Sequence, residues 1–133
     1  MIRKKKLAIT GALLITVSIV LGAFGAHALR DVLSTNQLNS FKTATDYLAF
    51  HGLAFIVLSL IRAEIDAAAK MLFYGLMIFS GSIYTLTFMA YAKVAIPSGL
   101  GLITPVGGVL LIIGWVWTTW AISQAKEHKG SIQ

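Results

Sequence analysis

The chain has 133 residues, 57% of them hydrophobic and only 12% charged, with a mean hydropathy of +0.81. Ordinary soluble domains run at about 45–50% apolar and about 25% charged, so this composition excludes a water-soluble core and points to one integral membrane domain. Cysteine is absent, which excludes disulfides, iron–sulfur ligation and thiol chemistry, and the net charge of +6 owes much to one N-terminal run that does not suit nucleic acid.

That run, Arg3, Lys4, Lys5 and Lys6, precedes an uncharged stretch of 23 residues from Leu7 to Leu29. About 20 apolar residues cross a hydrocarbon core about 30 Å thick, so 7–29 is the first predicted helix. The four basic residues suit anionic lipid headgroups and retention on the cytoplasmic side. A basic tip, an apolar run and Ala26-His27-Ala28 also imitate a signal peptide. Such peptides use only about 7–15 apolar residues, however, and helix 1 is expected to be retained. Gly11, Ser18, Gly22, Gly25 and Ala26 share one face of it, a seam of small residues of the kind that lets helices approach closely in lipid.

The second helix is predicted over 43–61. Tyr47 to Ile61 offers only 15 uncharged residues, so the span must recruit Thr43 to Asp46 to reach the interface. Met71 to Ala92 is uncharged for 22 residues and gives the third helix, 71–92, with Gly81 as a packing residue. The fourth, 104–123, starts with Thr104 as N-cap and Pro105 at the first helical position, where a missing N–H costs nothing. Gly107 and Gly114 are its packing residues, and Trp115, Trp117 and Trp120 are expected at the headgroup level.

These elements define an all-α membrane protein, a single domain over 1–133 with four antiparallel transmembrane helices in an up-down bundle. With the N-terminus inside, eight of the eleven Lys and Arg residues are cytoplasmic, and Arg30, Lys42 and Lys93 lie on the opposite side. Both termini are therefore expected in the cytoplasm, with the chain in the inner membrane of a bacterium.

Polar residues inside a span are the candidates for chemistry, since an Asp at a helix centre costs about 2.5–3.5 kcal/mol on insertion scales. His27, Asp46, Tyr47, His51 and Tyr84 gather in the outer half of this topology. Thr43, Tyr47 and His51 follow at four-residue spacing on one face of helix 2. Turned inward to meet His27, that face makes a proton or ion site. The plainer reading is a satisfied hydrogen-bond network that fixes helices 1 and 2 in register. Haem between His27 and His51, or another haem- or quinone-associated role, is a lesser alternative, and no cofactor is expected. A Ser-His-Asp set can be drawn on paper from Ser80 or Ser82 with His51 and Asp46. Serines in membrane helices ordinarily pack or bond locally, and no enzyme is expected.

Several segments, taken in order, carry a resemblance: Gly22-Ala-Phe-Gly-Ala-His-Ala-Leu29, then Phe41, Ala44 and Tyr47 leading into His51-Gly-Leu-Ala54, Phe79-Ser-Gly-Ser-Ile-Tyr84, Ile103-Thr-Pro-Val-Gly-Gly108 and Gly114-Trp115. Together they resemble the Domain of Unknown Function 423 (DUF423) family of small bacterial membrane proteins. The resemblance implies four membrane helices and a retained helix 1, and it brings no activity or catalytic residue with it. The resulting expectation is a structural or accessory membrane component that packs with itself or with a larger membrane complex. The alternative is a small transporter or proton-conducting unit built on the His/Asp/Tyr cluster.

Overall fold

The computed structural model describes residues 2–125, with side chains described from Lys4 onward. The side chain of Arg3, and Lys126, His128 and Lys129 near the C-terminus, lie outside the described residues. Four helices follow one another: α1 (Ile2–His27), α2 (Thr35–Leu60), α3 (Asp66–Tyr91) and α4 (Ile103–Ser123), the last entered through a 3₁₀ turn at Leu100–Leu102. Each is long and apolar enough to cross a membrane, and no strand occurs among the described residues.

The helix starts differ from the sequence reading, each for a local reason. Helix α2 begins eight residues before position 43, because Ser34 caps it. The Ser34 hydroxyl accepts from the Gln37 N–H, and the Gln37 side chain accepts from the Ser34 N–H, closing a capping box. At 26 residues α2 is about 39 Å long, so its polar first turns extend past the hydrocarbon. Helix α3 starts at Asp66 instead of 71, which puts a carboxylate in its first turn beside the positive end of the helix dipole. Helix α4 starts at Ile103, so Pro105 is its third residue, still within the first turn, where the N–H has no partner inside the helix. Thr104 therefore does not cap α4.

The helices pack in chain order, α1 on α2, α2 on α3 and α3 on α4. Each pair is antiparallel. A Cβ at Gly11 would strike the Gly52 carbonyl oxygen, and one at Gly25 would stand 2.7 Å from the Phe41 ring. Gly75 likewise faces Leu110 and Leu111, while Gly114 faces Leu72. Phe41 meets Tyr84, and Tyr47 meets Phe79, across α2 and α3. The result is two helical hairpins, α1–α2 and α3–α4, joined through α2 and α3. The outer helices each bury a narrow stripe: Gly11, Leu14, Ser18 and Gly25 on α1, and Gly107, Leu111, Gly114, Thr118 and Ala121 on α4. Alternate steps of three and four along those stripes give the seam geometry of helices packed at a shallow angle.

Two core clusters tie the layers together. The larger contains Leu14, Leu48, Phe55, Leu58, Ile65, Leu72, Leu76 and Leu111. The smaller, Leu29, Leu33 and Phe41, folds the α1–α2 connection back over the end of the hairpin. On the face that carries the chain's N-terminal end, Lys4 Nζ donates to the carbonyl of Ile61, the C-cap of α2. That lysine, assigned to lipid headgroups on sequence, thus satisfies an orphan helix-end carbonyl. Lys5 and Lys6 remain exposed.

Six of the predicted small packing residues lie at helix contacts and two do not. Gly11, Ser18, Gly25, Gly107 and Gly114 are buried, and Gly22 is half-buried, 3.8 Å from Thr45 by its would-be Cβ. Ala26 is exposed, and nothing stands within 4 Å of a Cβ at Gly81. The seam on α1 follows the three-four stripe through Gly25, and Ala26 is turned about 100° off it. Gly52, buried against Gly11 and Ile15, belongs to the seam although the sequence did not single it out.

Gly107→Ala places a methyl against the Phe79 backbone and is expected to destabilise the protein by about 1–3 kcal/mol. Gly81→Ala, with open space around it, is expected to leave stability unchanged or raised. Reversible unfolding in mixed detergent, followed by tryptophan fluorescence, measures both. Equal losses at the two positions would show that backbone approach at Gly107 is not what holds α4.

Candidate functional site

Hydroxyl groups within the helices largely return to carbonyls of their own helix, as Thr16, Thr85, Thr118 and Thr119 do to the residue four before. Lipid supplies no partner, so local back-bonding is the cheapest way to satisfy them. Four further bonds run between helices. Ser80 Oγ donates to the Ala44 carbonyl at 3.1 Å, joining α3 to α2. Thr45 Oγ1 gives its proton to the Phe41 carbonyl at 2.9 Å, so Tyr84 is the donor in the 3.0 Å Tyr84–Thr45 contact. Ser82 Oγ likewise donates to Phe79, which makes Thr104 the donor in the 2.7 Å bond that holds the start of α4 to α3.

The fourth bond centres on His51. This residue is only 2% exposed, and its Nδ1 lies 2.9 Å from the Tyr47 carbonyl. On the other side of the ring, Trp115 Nε1–H donates to His51 Nε2 across 3.1 Å. An indole N–H is only a donor, so Nε2 is the acceptor and the ring proton sits on Nδ1. The geometry thus specifies the neutral imidazole in one tautomer. Tyr47 stacks on His51 with ring centroids 5.8 Å apart, Phe50 meets it edge-on at 5.3 Å, and Tyr47 leans on Phe79 at 4.6 Å. His51 is nine residues from the end of α2 and Trp115 eight from the end of α4, about 14 Å and about 12 Å along their axes. The pair therefore lies near the middle of the bilayer.

The other members of the predicted cluster stand elsewhere. His27, the last residue of α1, is exposed, and it makes no hydrogen bond or ring contact with His51. Asp46 is exposed as well and pairs with Lys42 at 2.6 Å on the surface of α2. Tyr47 contributes its carbonyl and its ring, not its hydroxyl, and Tyr84 bonds Thr45 on a separate turn. The two histidines do not face one another, and both nitrogens of His51 are already used, so this arrangement is not a bis-imidazole haem site. Nor do Ser80, His51 and Asp46 assemble: Ser80 is committed to Ala44 and Asp46 to Lys42. Among the described residues no group of three or more His, Cys, Asp or Glu stands where it could hold a metal ion.

Trp115 was the residue the sequence placed wrongly. Grouped with Trp117 and Trp120 it reads as a headgroup anchor, but it follows Leu111 by four and Gly108 by seven, on the inward side of α4. Trp120 is 59% exposed and keeps the outward position expected of an interfacial ring. What this arrangement does chemically is close polar valences: among the described residues no buried side-chain nitrogen or oxygen lacks a partner.

Four membrane-length apolar helices, with their inward polar groups satisfied by one another, define an integral membrane protein. Residues 21–108 match the family described as "Protein of unknown function (DUF423)", and the chain belongs to that family. It is 44% identical over 112 residues to a UPF0382 membrane protein of Staphylococcus epidermidis (strain ATCC 12228 / FDA PCI 1200), covering 81% of this chain and 87% of the relative. A UPF0382 membrane protein of Staphylococcus saprophyticus is 38% identical over 112 residues, with 81% and 88% covered. No solved structure matches the chain.

Removing the indole donor with Trp115→Phe leaves His51 Nε2 buried without a partner. A double-mutant cycle with His51→Leu is expected to return a coupling of about 0.6–1.7 kcal/mol, the range for hydrogen bonds between membrane helices. Nitrogen-15 spectra of labelled histidine are expected to show the Nδ1–H tautomer in the native protein. Additive losses in the cycle, or an Nε2–H signal, would contradict the assignment.

Proposed function

We propose that this protein is a non-enzymatic accessory component of the bacterial cytoplasmic membrane, acting by contact with copies of itself or with a larger membrane complex. The observation that carries the reading is the division of its surfaces. Buried polar side chains inside the spans are satisfied, as at His51 and Trp115, outward-facing threonines bond back to their own helix, and nothing among them converges on a reacting centre. Outward, α1 and α4 present continuous apolar faces, among them Leu13, Val17, Val20 and Phe24 on one and Val109, Ile112, Val116 and Trp120 on the other. A protein built this way offers its partners shape and helix faces. Names given to its relatives, which say membrane protein and no more, are consistent with it.

Both termini face the cytoplasm in this reading. The support is charge: Lys4, Lys5, Lys6, Arg62 and Lys70 all lie at the end of the molecule that carries the N-terminus and the α2–α3 turn. A cysteine-free chain makes the orientation easy to test. A membrane-impermeant maleimide is expected to label Val32→Cys in intact cells and Glu64→Cys only after permeabilisation; the reverse pattern would invert the topology.

The contact role is tested by purification from native membranes at native expression in a mild detergent, with mass spectrometry of what remains bound. A stoichiometric membrane complex or a homo-oligomer is the expected product. Recovery of a lone monomer would sink the proposal.

A further inference from the structure

Helices α1 and α3 both pack on α2, and between them a cleft of about 580 Å³ opens at the end that carries the N-terminus. Lys6 on α1 and Lys70 and Asp66 on α3 line it. Lys6 and Lys70 are exposed, and neither takes part in an ion pair among the described residues. Deeper in, the lining turns apolar. On α3 Phe73 follows Lys70 by three residues, about 5 Å along the axis, and on α1 Leu7 adjoins Lys6 while Thr10 lines the next turn. Phe55 of α2, five residues from that helix's end, lies at the same level.

The polarity of this cleft runs along the bilayer normal, with charge at the headgroup level and aromatic and aliphatic carbon below. Two lysines against one aspartate leave its mouth cationic. The volume falls within the range of about 300–1,000 Å³ typical of ligand sites. Basic pockets between transmembrane helices are suited to anionic lipid headgroups. A second cleft, of about 470 Å³ near Gly22, Arg30 and Lys42, differs in that Asp46 neutralises Lys42 within it.

We propose that the α1–α3 cleft is a binding site for a phospholipid with an anionic headgroup, its phosphate held between Lys6 and Lys70 and an acyl chain laid against Phe73 and Tyr74. The site differs from general attraction of the basic N-terminal run, since it draws one charge from each of two helices and uses a shaped apolar floor. Such a lipid joins α1 to α3, two helices that share α2 as their common neighbour.

The test uses full-length protein reconstituted in phosphatidylcholine vesicles containing a minority of phosphatidylglycerol, extracted gently and examined by native mass spectrometry. Wild-type protein is expected to keep one phosphatidylglycerol in preference to phosphatidylcholine. Lys6→Gln with Lys70→Gln is expected to weaken retention about thirtyfold, taking about 1 kcal/mol for each lysine near the surface. The charge-matched pair Lys5→Gln with Arg62→Gln, outside the cleft, is expected to retain lipid as wild type does. Ala67→Trp, which fills the cleft and leaves both lysines, is expected to expel it. Circular dichroism and elution volume verify folding of each variant. Equal loss in the two glutamine pairs would reduce the effect to diffuse charge and overturn the site. Lipid retained by Ala67→Trp, or displaced by inorganic phosphate alone, would overturn the role of the apolar floor and with it the proposal.

Discussion

Hydrocarbon offers no hydrogen-bond partner, and most of what distinguishes this chain from four greasy rods follows from that constraint. Each polar side chain inside a span must find its complement within the protein. Most serines and threonines meet the requirement on their own helix, at almost no structural cost, Ser80 being an exception that donates to Ala44 of α2. Histidine cannot, because its ring presents a donor and an acceptor on opposite sides. His51 meets the first with the carbonyl of Tyr47, one turn back on α2, and the second with Trp115, on a helix that is not its packing neighbour. One imidazole thereby fixes its own tautomer, the direction of an indole, and the placement of α4 relative to α2.

Two different physics hold the helices together. Within each hairpin the contact is backbone against backbone, permitted by Gly11 and Gly52 in one and by Gly75, Gly107 and Gly114 in the other. Dispersion between closely approached helices is the available attraction where apolar burial gains nothing over lipid. Between the hairpins the contact is larger side chains and directed hydrogen bonds, Ser80 to Ala44 and Tyr84 to Thr45, with Tyr47 on Phe79. Glycine contacts set distance, and hydrogen bonds set register. Helices α1 and α3, which share α2, are left with a cleft between them that opens where the lysines are.

This architecture bears on function through what it makes inert. A histidine with both nitrogens engaged, an aspartate paired at the surface and a second histidine turned outward are poor ingredients for a proton path or a cofactor site. They are good ingredients for a rigid insert. Membership in the DUF423 family, described as of unknown function, adds no chemistry to it. Contact along α1 and α4, and selection of a lipid at the α1–α3 cleft, are the roles such a shape supports.

The sequence by itself determined the solvent, the number of spans and the charge bias between the two ends, because each of these depends on composition summed over about 20 residues and on nothing distant. It also carried the glycine seam as far as Gly25, since a helix face is a matter of local periodicity. Even the start of α2 was legible in Ser34-Thr-Asn-Gln37, a capping signature obscured by the polar turns that follow it. Only the tertiary structure decided which polar groups meet. Asp46 chose Lys42, four residues along its own helix, over any partner across the membrane, and His51 chose Trp115, 64 residues away in the chain. No periodicity encodes that second pairing, because it depends on the rotation of α4 about its axis, and the close approach of Gly107 and Gly114 to α3 sets that rotation.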